Sequence, residues 1–309
     1  MKKVLGLFLG GLLLLAGCYD EGSLNPSPEP ELIYGKYTLP QGDHDYDDDI
    51  VKFYKQYGSL ILYKFTSKDF GWYPQANISW DITTDTVVIP GAGNKYDAQP
   101  ADELYVKEQL QLLNDKLFCY LSDTLMQLLP QRILLCSVLD IVPVGLGYNP
   151  KPEERTPFNV YSGYYHIAVN WGNSKILDMT AEERNQFKID LCTAYFGAIM
   201  GSLEKPREFF MVSGYSDNIS VGAIYANGIL DHEHRTSMEL DWFDYVKLAI
   251  GNSIEELEAE GGVLNETIDV NGKIREKYTI MTNFFKSKYQ FDIQAIGNDI
   301  EWAEIPAYP

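Results

Sequence analysis

Cysteine and histidine are scarce, four of each in 309 residues. The cysteines are Cys18, Cys119, Cys136 and Cys192, and none belongs to a C-x-x-C pair, which speaks against a thiolate zinc site. Cys119, Cys136 and Cys192 stand in the apolar runs KLFCYL, ILLCSV and DLCTAY, which predicts buried free thiols with at most one disulfide among them. Positive charge is also short. Lys and Arg number 25 against 44 acidic residues, a formal net charge of −19. That balance opposes nucleic acid and anionic lipid as partners and predicts a solvated acidic surface. There is no G-x-S-x-G nucleophile elbow, no internal repeat, and no apolar run long enough to span a bilayer, for which about 20 residues are needed.

What the N-terminus does hold is specific. Lys2 and Lys3 precede an apolar stretch, Val4 to Ala16, that exits through LAGC. A large apolar residue, two small ones and then Cys18 make a lipobox. The small side chains let the backbone enter a peptidase cleft, and the Cys18 thiol takes a diacylglyceryl group. Residues 1–17 are therefore expected to be a cleaved signal peptide. Further acylation of the freed amine, such as palmitate, gives the two or more chains that stable anchoring requires. Residues 18–31, rich in Pro, Ser and acid, read as a flexible tether, and 32–309 as one large folded domain. Asp20 and Glu21 directly after Cys18 resemble the outer-leaflet export signal of Bacteroides-type lipoproteins. The expected location is the outer membrane, lipid-anchored and facing outward, with a periplasm-facing lipoprotein as the alternative.

Along the body, Asp47, Asp48 and Asp49 suit a helix start, followed by Ile50, Phe53, Tyr54 and Tyr57 at helical spacing. A calcium loop built on Asp43, Asp45 and Asp47 fails, because Asp48 and Tyr54 stand where Gly and Glu are required. GSLILYKF, WDITTDTVVIPGAG, RILLCSVLDIV and YYHIAVNW read as strands. Residues 101–129 read as the clearest helical region, with Leu104, Leu110, Leu113, Leu117, Tyr120 and Leu121 on one face. Thr180 and Glu183 form a capping box for a helix expected from about Ala181 to Leu203. On it Phe187, Leu191, Tyr195, Ile199 and Leu203 recur every four residues. Ser253 and Glu256 form a second capping box, after a helix in TSMELDWFDYVKLAIG. GKIREKYTIMTNFFKSKY reads as a last helix before an extended YQFDI.

This order resembles the presumptive zinc-binding metallopeptidase lipoproteins of Bacteroides-type bacteria. It runs from an N-terminal helix through strands and a long helix, then RILL, YYHIAVNW, a capped apolar helix, ELDWFDYVKLAIGNSIEEL and GKIREKY. The resemblance implies an α+β, zincin-like fold with a mixed sheet and several packed helices. In that family the capped helix carries His-Glu-x-x-His, with two imidazoles one turn apart on zinc and Glu as the base. In the matching register this chain has Ala194, Tyr195 and Ala198, and residues 167–231 contain no histidine. Alanine has no donor atom, and a phenol with a reference pKa of about 10 is no carboxylate base. Asp244, or Asp241, takes the place of the acidic third ligand. The resemblance thus implies the fold and withholds the activity. No catalytic residue and no cofactor is expected. The expectation is a non-catalytic relative that binds a peptide, protein or glycan and is accessory to nutrient uptake.

The alternative is a metal-dependent hydrolase with a displaced site at His232 and His234 in DHEHR, with Asp231, Glu233 or Glu239 as third ligand. On a strand those two imidazoles would share a face; a solvated loop is the competing reading. His166 reads as a paired structural histidine, and Ser213 has no evident base. Aromatic residues near turns (Phe70, Trp72, Tyr73, Trp80, Tyr161, Tyr164 and Tyr165) either fill the core or form a platform for a sugar or peptide.

Overall fold

Three acids in a first turn and Gly58 past the last turn bracket the first helix among the described residues, α1 (Asp47–Tyr57). The computed structural model describes residues 37–71, 79–81, 86–88, 94–143, 145 and 151–301. The signal peptide, Cys18, the tether, Trp72 and Tyr73 lie outside the described residues. The chain divides into Met1–Leu39 and a compact unit, Pro40–Pro309, which carries the sheet and the helices.

After α1 come β1 (Leu60–Leu62), α2 (Ser67–Phe70), β2 (Ser79–Asp81), β3 (Thr86–Val88) and β4 (Asn94–Pro100). Then follow α3 (Val106–Lys116), α4 (Asp123–Met126), β5 (Arg132–Pro143), β6 (Thr156–Pro157), β7 (Val160–Ser162) and β8 (His166–Val169). The rest is helical: α5 (Ala181–Ile199), α6 (Arg207–Met211), α7 (Met238–Gly251), α8 (Ile254–Glu258), α9 (Lys273–Tyr289) and α10 (Gln294–Asn298).

The strands form one mixed sheet with the long β5 at its centre. The first part of β5 lies between two parallel partners, β1 and β8, with Ile133 level with Ile61 and Ile167. Its second part pairs antiparallel with β4 and β6, and β4 leads on to β3 and β2. Buried on both faces, Ile133, Leu134, Leu135 and Cys136 form a continuous apolar run, as a strand with parallel neighbours requires. This is the α+β class expected, a mixed sheet with several packed helices. Among the described residues no helix is long and apolar enough to cross a membrane.

The region 101–129 departs from expectation. It breaks at Leu117 and again before α4, with single turns of 3-10 helix at Glu103–Tyr105 and Phe118–Tyr120. Leu104, expected on the apolar face, is 78% exposed, whereas Gln109 and Lys116 are buried. The reason is hydrogen bonding rather than hydropathy. Gln109 Nε2 donates to the carbonyls of Val169 at 2.9 Å and Asn170 at 2.8 Å, and Lys116 pairs with Glu301. A buried amide or ammonium is tolerated once its donors are satisfied. Cys136 and Cys192 are buried free thiols, but Cys119 is exposed. His166 is buried without the expected partner, since neither ring nitrogen makes a hydrogen bond among the described residues.

Candidate functional site

Helix α5 opens with the capping box as expected: Thr180 Oγ1 accepts from Glu183 N, and Glu183 accepts from Thr180 N. Its regular part ends at Ile199, and Gly201 and Ser202, weak helix formers, continue as a 3-10 turn short of Leu203. The centre of this helix is packed core. Tyr195 is fully buried, and its hydroxyl donates to the Leu125 carbonyl at 2.6 Å. Burial raises the Tyr195 pKa further above the phenol value, so it holds its proton. Ala194 is half-buried and Ala198 exposed. Between them Gly197 faces α7, where a Cβ would lie 3.3 Å from Phe243 Cζ. Neither alanine side chain has a donor atom and the Tyr195 hydroxyl is committed to Leu125, so these three side chains offer no ligand set for a zinc ion.

Asp244 points elsewhere. It lies on the second turn of α7, whose N-cap Ser237 accepts from Leu240 N. Its carboxylate is nearly buried, with Oδ2 2.5 Å from His234 Nδ1 and Oδ1 2.7 Å from Lys247 Nζ. The segment expected as a strand or a solvated loop is a 3-10 turn, His232–His234, capped by Asp231, whose Oδ1 accepts from Glu233 N at 2.9 Å. In a helix with three residues per turn, positions two apart diverge. Accordingly His232 Nε2 sits 3.1 Å from the Ile219 carbonyl, while His234 turns to Asp244. Both imidazoles are half-buried rather than solvated. Asp231, His234 and Asp244 each offer a ligand atom within 4.8 Å of the other two. Glu239 is not part of the group, being paired with Lys205.

The sequence pattern points to Asp231, His234 and Asp244 singly and does not bring them together. It gives no sign of Lys277. That ammonium is fully buried, ion-paired with Asp241, and donates to Ser213 Oγ at 3.0 Å and the Gly228 carbonyl at 2.8 Å. Tyr215 also donates to Asp241, at 2.6 Å. Ser213 therefore has a lysine neighbour, but one acting as a donor under a carboxylate. Burial lowers the Lys277 pKa, and the Asp241 charge opposes that. A base must first lose its proton, and this ammonium is held by four acceptors, Ser213, Tyr215, the Gly228 carbonyl and Asp241.

Among the described residues, a cleft with an apolar lining and an exposed aromatic ring are places that could receive a ligand. A cleft of about 340 Å³ opens between α1 and α3, lined by Tyr46, Phe53, Leu110 and Phe118, with Asp45 and Lys107 paired at its rim. Tyr164 is 57% exposed and stands edge-on to Tyr165. Phe70 and Tyr161, by contrast, pack with Tyr96 and His166.

No protein-family model matches the chain, and no curated protein matches it. Among solved structures it is similar to a presumptive zinc-binding metallo-peptidase from Bacteroides caccae ATCC 43185. Identity is 10%, the TM-score is 0.46, and the match covers 83% of this chain and 91% of that one.

Proposed function

We propose that this chain is a lipid-anchored outer-membrane lipoprotein, facing outward, whose zincin-like body lacks peptidase chemistry. In this reading it binds a peptide, protein or glycan and is accessory to nutrient uptake. The observation that carries the loss of chemistry is the centre of α5. Tyr195 is committed to the Leu125 carbonyl, and Ala194 and Ala198 offer no donor atom. A hydrolytic zinc needs three protein ligands and an open position, and Ala194, Tyr195 and Ala198 supply none of them. Binding is supported by the amphipathic cleft between α1 and α3 and by the exposed Tyr164. Anchoring is supported by LAGC alone.

The test has two arms. The purified mature protein is expected to leave unfolded casein and a mixed peptide library uncut, with or without added zinc, while binding a member of a glycan or peptide panel saturably. In cells, Cys18→Ser is expected to move the protein from the membrane to the soluble fraction. Zinc-dependent peptide cleavage would overturn the reading. A second reading, a metal-dependent hydrolase at the displaced site, is favoured by the closeness of His234 and Asp244. It requires hydrolysis that disappears in His234→Ala.

A further inference from the structure

We propose that Asp231, His234 and Asp244 form a binding site for one divalent transition-metal cation, with zinc as the best-matched ion. The site takes no atom from α5, so it stands whether or not the reading of α5 is right. A chain without peptidase chemistry can still hold an ion.

Geometry is the first argument. Ligand atoms on a tetrahedral zinc, each about 2.0–2.2 Å from the ion, lie roughly 3.3–3.5 Å apart. The three candidate atoms lie within 4.8 Å of one another. His234 Nδ1 is 2.5 Å from Asp244 Oδ2 and 3.9 Å from Asp231 Oδ2, so the set straddles the required spacing. An ion enters by spreading the first pair and drawing in the second. Asp231, about half exposed, has room to move.

Preorganisation is the second argument. One oxygen of Asp231 is used to cap the turn, which leaves the other facing His234. The turn is closed by His234 N on the Asp231 carbonyl at 3.1 Å and by Ser237 N on the His234 carbonyl at 2.9 Å. Helix α7 starts at the next residue and carries Asp244, whose side chain is only 6% exposed. All three ligands thus sit on a short, hydrogen-bonded stretch that need not be ordered by the ion.

Chemistry chooses the ion. One imidazole and two carboxylates suit zinc and its neighbours, whereas calcium takes about six to eight oxygens, more than this site offers. Lys247 sets a limit. Its ammonium, 2.7 Å from Asp244 Oδ1, places a positive charge beside the incoming ion and occupies the other oxygen of the ligand. The site is then weaker than its ligands alone would make it.

The experiment uses the untagged mature chain in detergent, stripped with chelator and titrated calorimetrically with zinc chloride and, separately, calcium chloride. One zinc per chain is expected. Loss of His234 as a ligand in His234→Ala is expected to weaken binding at least about 100-fold. His232→Ala should leave it unchanged, since His232 faces Ile219. Lys247→Met should tighten it by about tenfold, the effect of removing one nearby charge. Should His234→Ala fail to fold, Asp231→Asn on the exposed turn replaces it, with a weakening of at least about tenfold expected. The proposal is overturned by the absence of saturable zinc binding, by zinc binding that His234→Ala or Asp231→Asn leaves unmoved, or by calcium bound as tightly as zinc. Casein cleavage is scored separately, so failure here and failure of the non-catalytic reading are distinct results.

Discussion

His166 shows what a single buried residue can cost. It is 1% exposed on β8, packed against the adjoining rings of Phe70 and Tyr161. Gly163 lies so close beneath the imidazole that a Cβ there would come within 2.2 Å of Cε1. Among the described residues both nitrogens lack a partner, and an unpaired buried polar group costs about 1–3 kcal/mol. Burial, aided by the charge of Arg132, pushes its pKa down from 6.5 to about 3. In the unfolded chain the ring protonates as pH falls through 6.5, while in the fold it stays neutral to about 3. Unfolding therefore takes up a proton in that window, and stability is lost as the solution is acidified. Above 6.5 the ring is neutral in both states and contributes nothing to the pH slope. The full penalty is on the order of 5 kcal/mol near pH 3. His166→Leu removes both the unpaired nitrogens and the titration. Urea unfolding at pH 7.5 is expected to show stability equal to the parent or about 1 kcal/mol higher. Between pH 6.5 and 3 the difference should widen in favour of the variant. Parallel pH profiles for parent and variant would refute the account.

At the scale of the element, local chemistry was readable and distant chemistry was not. The starts of α5 and α8 were visible in the sequence because a capping box is closed within four residues, Thr180 with Glu183 and Ser253 with Glu256. The period-four stripe on α5 was visible for the same reason. The breaks around α3 were hidden, because Gln109 and Lys116 are drawn inward by carbonyls and a carboxylate at residues 169, 170 and 301. The site was half visible: residue types near His234 identified candidate ligands, but only the 3-10 turn decides that His234, and not His232, meets Asp244. The cap on α5 makes a quantitative prediction. Thr180→Ala leaves Glu183 N without its acceptor at the start of a 19-residue helix. The loss should be about 1 kcal/mol, with Thr180→Ser nearly unchanged, measured by chemical denaturation. A Thr180→Ala variant as stable as the parent would mean that the capping bond adds nothing over water.

The C-terminal half of the molecule is assembled around the Lys277–Asp241 pair rather than around apolar contacts alone. Lys277 on α9 ties Asp241 on α7 to Ser213 after α6 and to the Gly228 turn. The faces of Phe209, Tyr245 and Tyr215 lie within 4.4, 4.9 and 5.4 Å of its ammonium. Both charged side chains are fully buried, and Asp241 Oδ1 has no partner among the described residues. Such a pair is expensive to desolvate, but breaking it is worse, since the survivor is left as a buried charge. Lys277→Met alone should therefore destabilise the fold by about 3–5 kcal/mol, with Asp241→Leu alone in the same range. The double variant leaves no uncompensated charge and should recover at least half of either loss. It will not recover everything, because Tyr215 loses the acceptor for its hydroxyl. Adding Tyr215→Phe should return most of the remainder. A double variant whose loss equals the sum of the single losses would show that the pair contributes by packing shape, not by charge compensation. Because Asp241 stands one turn before Asp244 on α7, the same variants also test reach. If the double variant restores stability and still binds zinc like the parent, the buried pair sets the frame of this half and the His234 cluster is mounted on it independently.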